Sequence, residues 1–408
     1  MKVSVLTLGC KVNKYESDSL LNQFASKGYE ISDKLEMADI YVINTCAVTS
    51  EAERKSRQMI ARCKKFNPQA KVYVCGCAAQ ASADQFKCKA DGIMGVAQKN
   101  SITCLPTGVN IAKLPKDYEM APYAIPSRTR AYIKVQDGCN NFCSYCIIPY
   151  LRGRSRSRDM EDIIKEATLL KDKVQEIVLT GINLSDYRID GKLALLKLLQ
   201  ELDKLDVRLR LSSMEEVIAN NEFIEGLSRL KNFCPHFHLS LQSGSKSVLK
   251  RMNRRYSPQE FAAACALIRK YFPLASITTD VIVGFPQETQ EEFEETYEFI
   301  KQVGFSGLHV FSYSRRPGTV AARMVDLSSD VKKIRSARLF ELDKKLRRDF
   351  ILKNETGQVL IEESSDGVSH GFTKNYIKCN IAGTFREGEI VTVKIIGERN
   401  GEAEAEIL

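Results

Sequence analysis

The sequence has no long apolar run and few histidines. No apolar run approaches the roughly 20 residues that a membrane-spanning helix needs, so no membrane partner is expected. The apolar run at residues 3–8 is too short for a secretory signal and is followed at once by Cys10 and Lys11. Only four histidines occur, none in a recognisable catalytic constellation, so nothing indicates histidine-based acid–base catalysis.

Cysteine, by contrast, is abundant. Thirteen cysteines in 408 residues without a signal peptide indicate a reducing compartment, where thiols serve metals or catalysis, so we predict a cytoplasmic protein. The length suits two or three domains, each with an ample core. The net charge of +9 allows an anionic partner such as RNA but does not identify one.

Three cysteines, Cys139, Cys143 and Cys146, have the spacing C-x3-C-x2-C. Three thiolates so close together would repel one another, so a bound metal is the natural reason for the pattern. Structural zinc prefers four ligands, and no fourth cysteine or histidine lies near Cys146 in sequence. A 4Fe–4S cluster with three cysteines leaves one iron open to a small molecule. On spacing alone, a zinc knuckle or a ferredoxin-like cluster remains an alternative.

Residues 1–107 alternate between apolar runs and amphipathic segments. Residues 13–27 and 50–66 have helical periodicity, and Ser50 with Glu53 matches a capping box. The runs of strand length are residues 3–8, 40–44, 71–74 and 92–94. This alternation predicts an α/β domain with an open parallel sheet, whose site should lie at the carboxyl ends of its strands.

Cysteines follow three of these predicted strands. Cys10 follows the first, Cys46 the second, and both Cys75 and Cys77 lie at the end of the third. A single cysteine is more often a small buried apolar side chain, but three at equivalent strand ends indicate a shared site. The residues alone do not decide between Cys75 and Cys77.

Residues 108–130 contain several prolines and are predicted to be a linker. Residues 131–328 then alternate six strand-length runs with helical segments, which predicts a partly open (β/α)6 barrel. The strands are expected near residues 131–135, 176–179, 208–211, 237–241, 276–283 and 307–311. The helices are expected near residues 160–171, 193–203, 221–230, 258–270 and 291–303. The cysteine triad directly follows the first strand, where a barrel site is expected.

Polar residues and glycines occur at later strand ends of the barrel. Thr180, Gly181 and Asn183 follow the second strand, and Gln242 ends the fourth. Glycines at such positions often only shape turns. Asp280 lies in an apolar strand, where an unpaired carboxylate would be costly, which favours a role in hydrogen bonding a ligand.

Two segments are strongly basic. Residues 330–354 predict a long amphipathic helix, a pattern as typical of a solvated surface as of nucleic-acid contact. Residues 128–158 lie beside the cysteine triad and are the better candidate for RNA phosphate. The predicted phosphate contacts in that segment are Arg152, Arg154, Arg156 and Arg158.

The tail, residues 355–408, has short apolar runs separated by glycines, which predicts a small closed β-barrel. Its strands are expected near residues 359–362, 376–379, 390–396 and 403–407. The tail is acidic overall, so RNA contact there would need a local patch such as Lys374 and Lys378.

The cysteine motif, with Tyr145 just before its third cysteine, resembles the signature of radical S-adenosylmethionine (SAM) enzymes. The strings L-G-C-x-x-N, N-T-C and G-C-A-A-Q around Cys10, Cys46 and Cys77 resemble the amino-terminal domain of methylthiotransferases. The last string assigns Cys77 rather than Cys75. The tail resembles the TRAM domain that ends these enzymes, so the resemblance covers essentially the whole chain.

The resemblance implies an enzyme that replaces the hydrogen of an unactivated C–H bond with a methylthio group. Cys139, Cys143 and Cys146 would hold a 4Fe–4S cluster that generates a radical from SAM. The strand-end triad would hold an auxiliary 4Fe–4S cluster that carries the transferred sulfur; these residues are Cys10, Cys46 and Cys77. One SAM molecule would supply the methyl group and a second the radical. The implied SAM pocket contains Tyr145, Thr180, Gly181, Asn183, Gln242 and Asp280.

Members of this family modify isopentenyladenosine or threonylcarbamoyladenosine in tRNA, or an aspartate of a ribosomal protein. The string L-T-G-I-N-L at residues 179–184 resembles the threonylcarbamoyl branch, whose substrate carries a carboxylate that a nearby arginine would pair with. We therefore predict methylthiolation at C2 of N6-threonylcarbamoyladenosine next to the anticodon. The acidic tail favours the basic ribosomal protein instead.

The alternative of another class is a non-catalytic iron–sulfur RNA-binding protein. The predicted partners are the tRNA anticodon arm and an electron-donor protein, and DNA is not expected to be a partner.

Overall fold

A computed structural model describes residues 1–119, 122–124 and 129–408. Pro126 of the predicted linker and Arg128 of the predicted basic segment lie outside the described residues. Within the described part of the chain, no helix is long and apolar enough to cross a membrane.

The N-terminal domain, residues 2–110, contains a six-stranded sheet in which all neighbouring strands are parallel. The strands lie in the spatial order Glu30–Ser32, Lys2–Thr7, Ile40–Thr45, Lys71–Gly76, Gly92–Met94 and Gly108–Asn110. Every residue of Ile40–Thr45 is buried, as expected for a largely apolar strand at the centre of a covered sheet. The helices that follow individual strands are Lys11–Ser26, Ser50–Phe66 and Cys77–Ala81.

Two local features of this domain differ from the sequence-based predictions. The prediction of a capping box at Ser50 is wrong, because Thr49 is the N-cap residue. Its hydroxyl accepts a hydrogen bond from the N–H of Ala52 at 3.1 Å. Thr49 has the extended backbone that a cap requires, with φ −127° and ψ 157°. The segment Gly108–Asn110, predicted to begin the linker, pairs in parallel with Gly92–Met94 and extends the sheet.

The second domain is the predicted partly open (β/α)6 barrel, and this prediction is confirmed. Its strands are Arg130–Lys134, Glu176–Thr180, Arg208–Leu211, His236–Gln242, Ser276–Val283 and Gly307–Ser312. The first three pair in parallel and so do the last three, while parallel bridges from Leu209 to Phe233 and from Met214 to Leu239 join the two sets. Among the described residues, no pairing joins the first strand to the sixth, so the barrel is open on that side.

Five helices pack against these strands in one large apolar core. They are Met160–Leu170, Leu195–Asp203, Asn221–Ser228, Pro258–Tyr271 and Gln290–Val303. Leu198, Ile268 and Ile300 are fully buried on the helices, as is Phe237 on a strand. Each such side chain stabilises the fold by about 1.5–3 kcal/mol relative to exposure in water.

A long helix, Ser329–Leu352, leads into a closed five-stranded barrel, as predicted. Around this C-terminal barrel the strands are Thr356–Ser365, Val368–Thr373, Lys378–Ala382, Glu402–Ile407 and Ile390–Arg399. The sequence analysis missed Val368–Thr373, because the string VSHGFT has no clear apolar alternation.

The C-terminal barrel packs against residues at the amino-terminal ends of the (β/α)6 strands. Arg130 forms an ion pair with Glu362 at 2.9 Å, and Arg210 donates a hydrogen bond to the carbonyl oxygen of Lys374 at 3.0 Å. The ring of His236 stacks on Tyr376 with centroids 4.4 Å apart. These contacts leave the opposite, carboxyl ends of the strands facing the N-terminal domain.

Candidate active site

A cavity of about 1110 Å³ lies where the N-terminal sheet faces the (β/α)6 barrel. It is lined by cysteines from both domains, namely Cys10, Cys46, Cys77, Cys139, Cys143 and Cys146. These are the six predicted cluster ligands. The fold therefore places both triads on the wall of one cavity.

The N-terminal triad lies at three strand ends of the sheet. Cys10 immediately precedes the helix Lys11–Ser26, Cys46 follows Ile40–Thr45, and Cys77 begins a short helix. Gly9, at φ 98°, packs directly against Cys46, because a Cβ at residue 9 would lie 2.6 Å from Sγ of Cys46.

The structure separates Cys75 from Cys77. Cys75 is fully buried in an apolar cluster with Tyr73 and Val42 and does not line the cavity. Side chains alternate along the strand, so Cys75 shares the face of Tyr73. Cys77 lies just beyond the strand and lines the cavity, as the motif-based assignment expected.

Distances within the triads indicate what they can bind. Among the described residues, neither triad brings its three Sγ atoms within 4.8 Å of one another. Sulfur ligands of one zinc ion would lie about 3.8 Å apart, because Zn–S bonds are about 2.3 Å long. Neither triad therefore forms the compact ligand set that one zinc ion needs, which agrees with the clusters predicted from the sequence.

Burial keeps the thiols of Cys46, Cys139 and Cys146 protonated in the absence of metal. It raises the pKa of Cys46 and of Cys146 to about 12 and that of Cys139 to about 11, and neighbouring cysteines add to each increase. Burial also raises the pKa of Cys10. Metal-binding cysteines must be thiolates, so the positive charge of bound iron is what would ionise these groups.

The loop that carries the second triad, Cys139, Cys143 and Cys146, has an unusual backbone. Gly138, at φ 72°, lies so close to the 153–154 turn that a Cβ there would lie 2.0 Å from the carbonyl oxygen of Arg154. Phe142 adopts φ 49°, a left-handed conformation that is rare for bulky residues. The N–H of Cys139 bonds to the carbonyl oxygen of Gly153 at 3.1 Å, which holds the start of the loop.

Residues 251–254 anchor the middle of this loop. Ser144 donates from its backbone to the carbonyl oxygen of Met252 at 2.9 Å. Arg254 lies 3.5 Å from Sγ of Cys143 and donates to a carboxylate oxygen of Glu215 at 2.8 Å. The sequence analysis did not predict Glu215 as a site residue, because its contact with Arg254 joins residues 39 positions apart.

The predicted SAM-pocket residues all line this cavity: Tyr145, Thr180, Gly181, Asn183, Gln242 and Asp280. Buried polar atoms on the same wall lack a hydrogen-bond partner among the described residues, including Oδ1 of Asn183, Oγ of Ser212 and Nδ1 of His236. Such atoms are costly unless a ligand or water completes them, so the wall fits a polar ligand such as SAM. Asp280 is paired with Nε2 of His238 at 3.2 Å.

Arg152 does not have the predicted role of an RNA contact. Its side chain is fully buried between the domains. Its Nε donates to Sγ of Cys77 at 3.3 Å, and its Nη1 pairs with Glu16 at 3.0 Å and with Asp137 at 3.2 Å. The charge of Arg152 is therefore neutralised inside the protein by Glu16 and Asp137.

Two further arginines of the predicted RNA-binding run are also buried. Arg156 donates to the carbonyl oxygens of Arg152 at 2.8 Å and of Arg154 at 2.9 Å. Arg158 forms ion pairs with Asp162 and Glu166. Of the four predicted arginines only Arg154 is exposed, and its guanidinium lies 4.4 Å from the ring centroid of Phe142.

The two lysines predicted to bind RNA in the tail are half-buried. Lys378 pairs with Glu402 at 2.5 Å and lines the cavity. Lys374 lies at the contact between the two barrels, where its carbonyl oxygen accepts a hydrogen bond from Arg210.

Lys11 also lines the cavity and was not predicted as a site residue. Burial lowers its pKa to about 8, and the positive charges of Arg210 and Arg130 contribute to the decrease. The one feature of the sequence that could have indicated Lys11 as a site residue is its position next to Cys10.

Comparison with known protein families divides the chain in the same way. Residues 133–300 match the model of the radical SAM superfamily, and residues 2–96 match the model described as uncharacterized protein family UPF0004. The radical SAM methyltransferase TsrM of Kitasatospora setae has a similar fold, with a TM-score of 0.56 at 13% identity over 78% of this chain and 73% of that chain.

Several known proteins align with nearly the full length of this chain. The threonylcarbamoyladenosine tRNA methylthiotransferase MtaB of Bacillus subtilis (strain 168) is 42% identical over 97% of this chain and 93% of its own. MtaB of Aquifex aeolicus (strain VF5) is 40% identical over 97% of this chain and 100% of its own. The tRNA-2-methylthio-N(6)-dimethylallyladenosine synthase of Thermodesulfovibrio yellowstonii is 33% identical over 100% of this chain and 98% of its own.

These matches confirm the family predicted from the sequence. With a radical SAM barrel and a matching N-terminal domain in one chain, and with relatives aligned along its whole length, the chain belongs to the radical SAM methylthiotransferase family.

Proposed function

We propose that this chain adds a methylthio group to C2 of N6-threonylcarbamoyladenosine next to the anticodon of tRNA. The observation that carries the proposal is the position of two cysteine triads, one from each domain, on the wall of one cavity. A radical source and a sulfur donor must both reach the same carbon atom, and a shared cavity meets that requirement.

Cys139, Cys143 and Cys146 would hold one 4Fe–4S cluster, and Cys10, Cys46 and Cys77 the other. When bound, the first supplies a 5′-deoxyadenosyl radical from SAM, and the second supplies the sulfur atom. Arg254 lies 3.5 Å from Sγ of Cys143 and would offset the negative charge of the first cluster. Oδ1 of Asn183 would accept a hydrogen bond from SAM, and the hydroxyl of Ser212 would donate or accept one.

The proposed reaction consumes two SAM molecules. One gives its methyl group to sulfur and leaves as S-adenosylhomocysteine. The other accepts one electron and leaves as methionine and 5′-deoxyadenosine, whose new hydrogen is the one removed from C2. Formation of the C2–S bond would leave one electron, which the auxiliary cluster held by Cys10, Cys46 and Cys77 would accept. The electron consumed at the start comes from a low-potential donor, which we propose to be a partner protein.

Relatives support the choice of substrate. Of the three relatives described above, the two named for threonylcarbamoyladenosine are 42% and 40% identical to this chain, whereas the one named for dimethylallyladenosine is 33% identical. The L-T-G-I-N-L string at residues 179–184 resembles the same branch and lies at the cavity wall.

We also propose where the anticodon arm is held. Arg154 is exposed on the loop beside the second triad, so a phosphate bound there would lie next to the reacting base. The C-terminal barrel borders the same cavity through Phe372, Tyr376 and Lys378.

The test uses the purified protein, reconstituted with iron and sulfide and supplied with SAM and a chemical reductant. Three tRNAs are compared: one with threonylcarbamoyladenosine, one with isopentenyladenosine and one with unmodified adenosine. Mass spectrometry of the nucleosides should show a methylthio product from the first tRNA alone. A product from isopentenylated tRNA alone would overturn the substrate, and activity only on a ribosomal protein would overturn the tRNA assignment.

A further inference from the structure

The side chain of Lys11 lines the cavity. Among the described residues, nothing forms a hydrogen bond or an ion pair with its amino group. The other lysines and arginines that line the cavity each have a carboxylate partner: Arg152 with Glu16, Arg254 with Glu215, Arg347 with Asp343, and Lys378 with Glu402.

Lys11 borders the same cavity as residues of the barrel strands, among them His236, Thr278 and Asp280. Its side chain is therefore accessible from the space in which a substrate would lie.

Glu176 and Asp280, two carboxylates of the barrel, already have partners of their own. Glu176 accepts hydrogen bonds from Arg210 at 2.6 and 2.8 Å and pairs with Arg130 at 3.1 Å. Asp280 is paired with His238 at 3.2 Å. Lys11 is half-buried at the cavity wall, so an anion that enters the cavity and displaces water would be stabilised by pairing with its ammonium group.

We propose that Lys11 pairs with the carboxylate of the threonylcarbamoyl group and thereby selects this substrate, an inference that rests on the proposed function. Threonylcarbamoyladenosine brings into the cavity a carboxylate with which the ammonium group of Lys11 can pair. An isopentenyl group is uncharged and would leave the ammonium group without an ion-pair partner. The site thus rejects the wrong substrate by an unpaired charge as well as binding the right one.

The experiment measures binding of anticodon stem-loop RNAs to the cluster-loaded protein by fluorescence anisotropy under anaerobic conditions. One RNA carries threonylcarbamoyladenosine, and a second carries its methyl ester, which lacks the negative charge but keeps the shape. The unsubstituted protein should bind the acid about tenfold to a hundredfold more tightly than the ester, as expected for a hydrogen bond between charged groups.

Lys11→Gln should bind the acid and the ester with affinities equal to within about twofold. Lys11→Arg, which keeps the charge, should retain the preference for the acid. Lys14→Gln is the matched control on the same helix, because Lys14 pairs with Asp18 at 2.7 Å and with Asp33 at 3.3 Å and does not line the cavity. It should discriminate like the unsubstituted protein.

Unchanged discrimination by Lys11→Gln would overturn the proposal for Lys11 and leave the proposed function intact. Loss of about four of the eight expected irons from both Lys11→Gln and Lys11→Met would also overturn it, because the charge would then serve the auxiliary cluster. A failure of the proposed function looks different: the unsubstituted protein would then show no preference for the threonylcarbamoyl RNA over unmodified RNA.

Discussion

The Nε atom of Arg152 donates a hydrogen bond to Sγ of Cys77 at 3.3 Å and so joins the barrel to the N-terminal triad. The same guanidinium pairs with one acid from each domain, Glu16 and Asp137. Burial raises the pKa of Asp137, but Lys134 and Arg152 outweigh this effect and lower the pKa to about 2. This buried network holds the two triads in a set relation across the cavity.

Arg152→Gln should lower the free energy of unfolding by about 3 kcal/mol, because it leaves two buried carboxylates short of positive charge. The loss should not be larger, since Lys134 still pairs with Glu16 at 2.9 Å and with Asp137 at 2.6 Å. Urea unfolding measures the effect. Arg154→Gln, at an exposed site, is the control and should change stability by less than about 0.5 kcal/mol. Equal stability of the two variants would contradict the importance of the network.

Cys143→Ala should abolish reductive cleavage of SAM and leave about four irons per chain, because the other triad is carried by a separate domain. Iron analysis and the release of 5′-deoxyadenosine measure the two effects. Cys265→Ala is the control, since Cys265 is buried in the barrel core and does not line the cavity. Cleavage that survived in Cys143→Ala would refute the assignment of this triad.

Cys77→Ala should retain SAM cleavage and lose methylthio transfer, because the sulfur donor loses a ligand while the radical source stays intact. Cys75→Ala should keep both activities, since Cys75 is buried away from the cavity. Product analysis by mass spectrometry separates the two reactions. The opposite pattern, with transfer lost only in Cys75→Ala, would reverse the assignment of the third ligand.

Arg154→Gln should weaken tRNA binding and reduce the slope of log affinity against log salt concentration by about one, as expected for one lost phosphate contact. SAM cleavage without tRNA should not change. Arg158→Gln is the comparison, because the charge of Arg158 is taken up by Asp162 and Glu166 and should not contribute to the slope. Equal changes in slope for both variants would show that burial does not decide which arginines meet RNA.

Glu216 should make stability depend on pH. Burial raises its pKa from an ordinary value near 4.5 to about 7, so between these values the folded chain keeps a proton that the unfolded chain releases. Raising the pH through this window therefore destabilises the fold, and Glu216→Gln should remove that loss. The thermal midpoints of the two proteins should differ little near pH 4.5, and the variant should be the more stable near pH 8. The exposed Glu222→Gln is the control, and a difference independent of pH would refute the prediction.

Local patterns in the sequence determined most of the secondary structure and both triads. Strand and helix periodicities depend on neighbouring residues, so they located the barrel strands to within a residue or two. The spacing of Cys139, Cys143 and Cys146 is local as well, and the position of Cys10 and Cys46 at strand ends follows from the order of the elements. Parallel strands end at the same edge of a sheet, so cysteines that follow such strands are brought close together.

Only the tertiary structure decided which charges are free to act. Arg152 and Arg154 look alike in the sequence. In the fold, Glu16, which is 136 residues away, neutralises the charge of Arg152, whereas Arg154 is exposed. Lys11 and Lys14 lie on the same helix, yet Lys14 meets two acids and Lys11 meets none among the described residues. The physical reason is that a charge is neutralised by whichever group the fold brings within a few ångströms, and no local pattern records that distance.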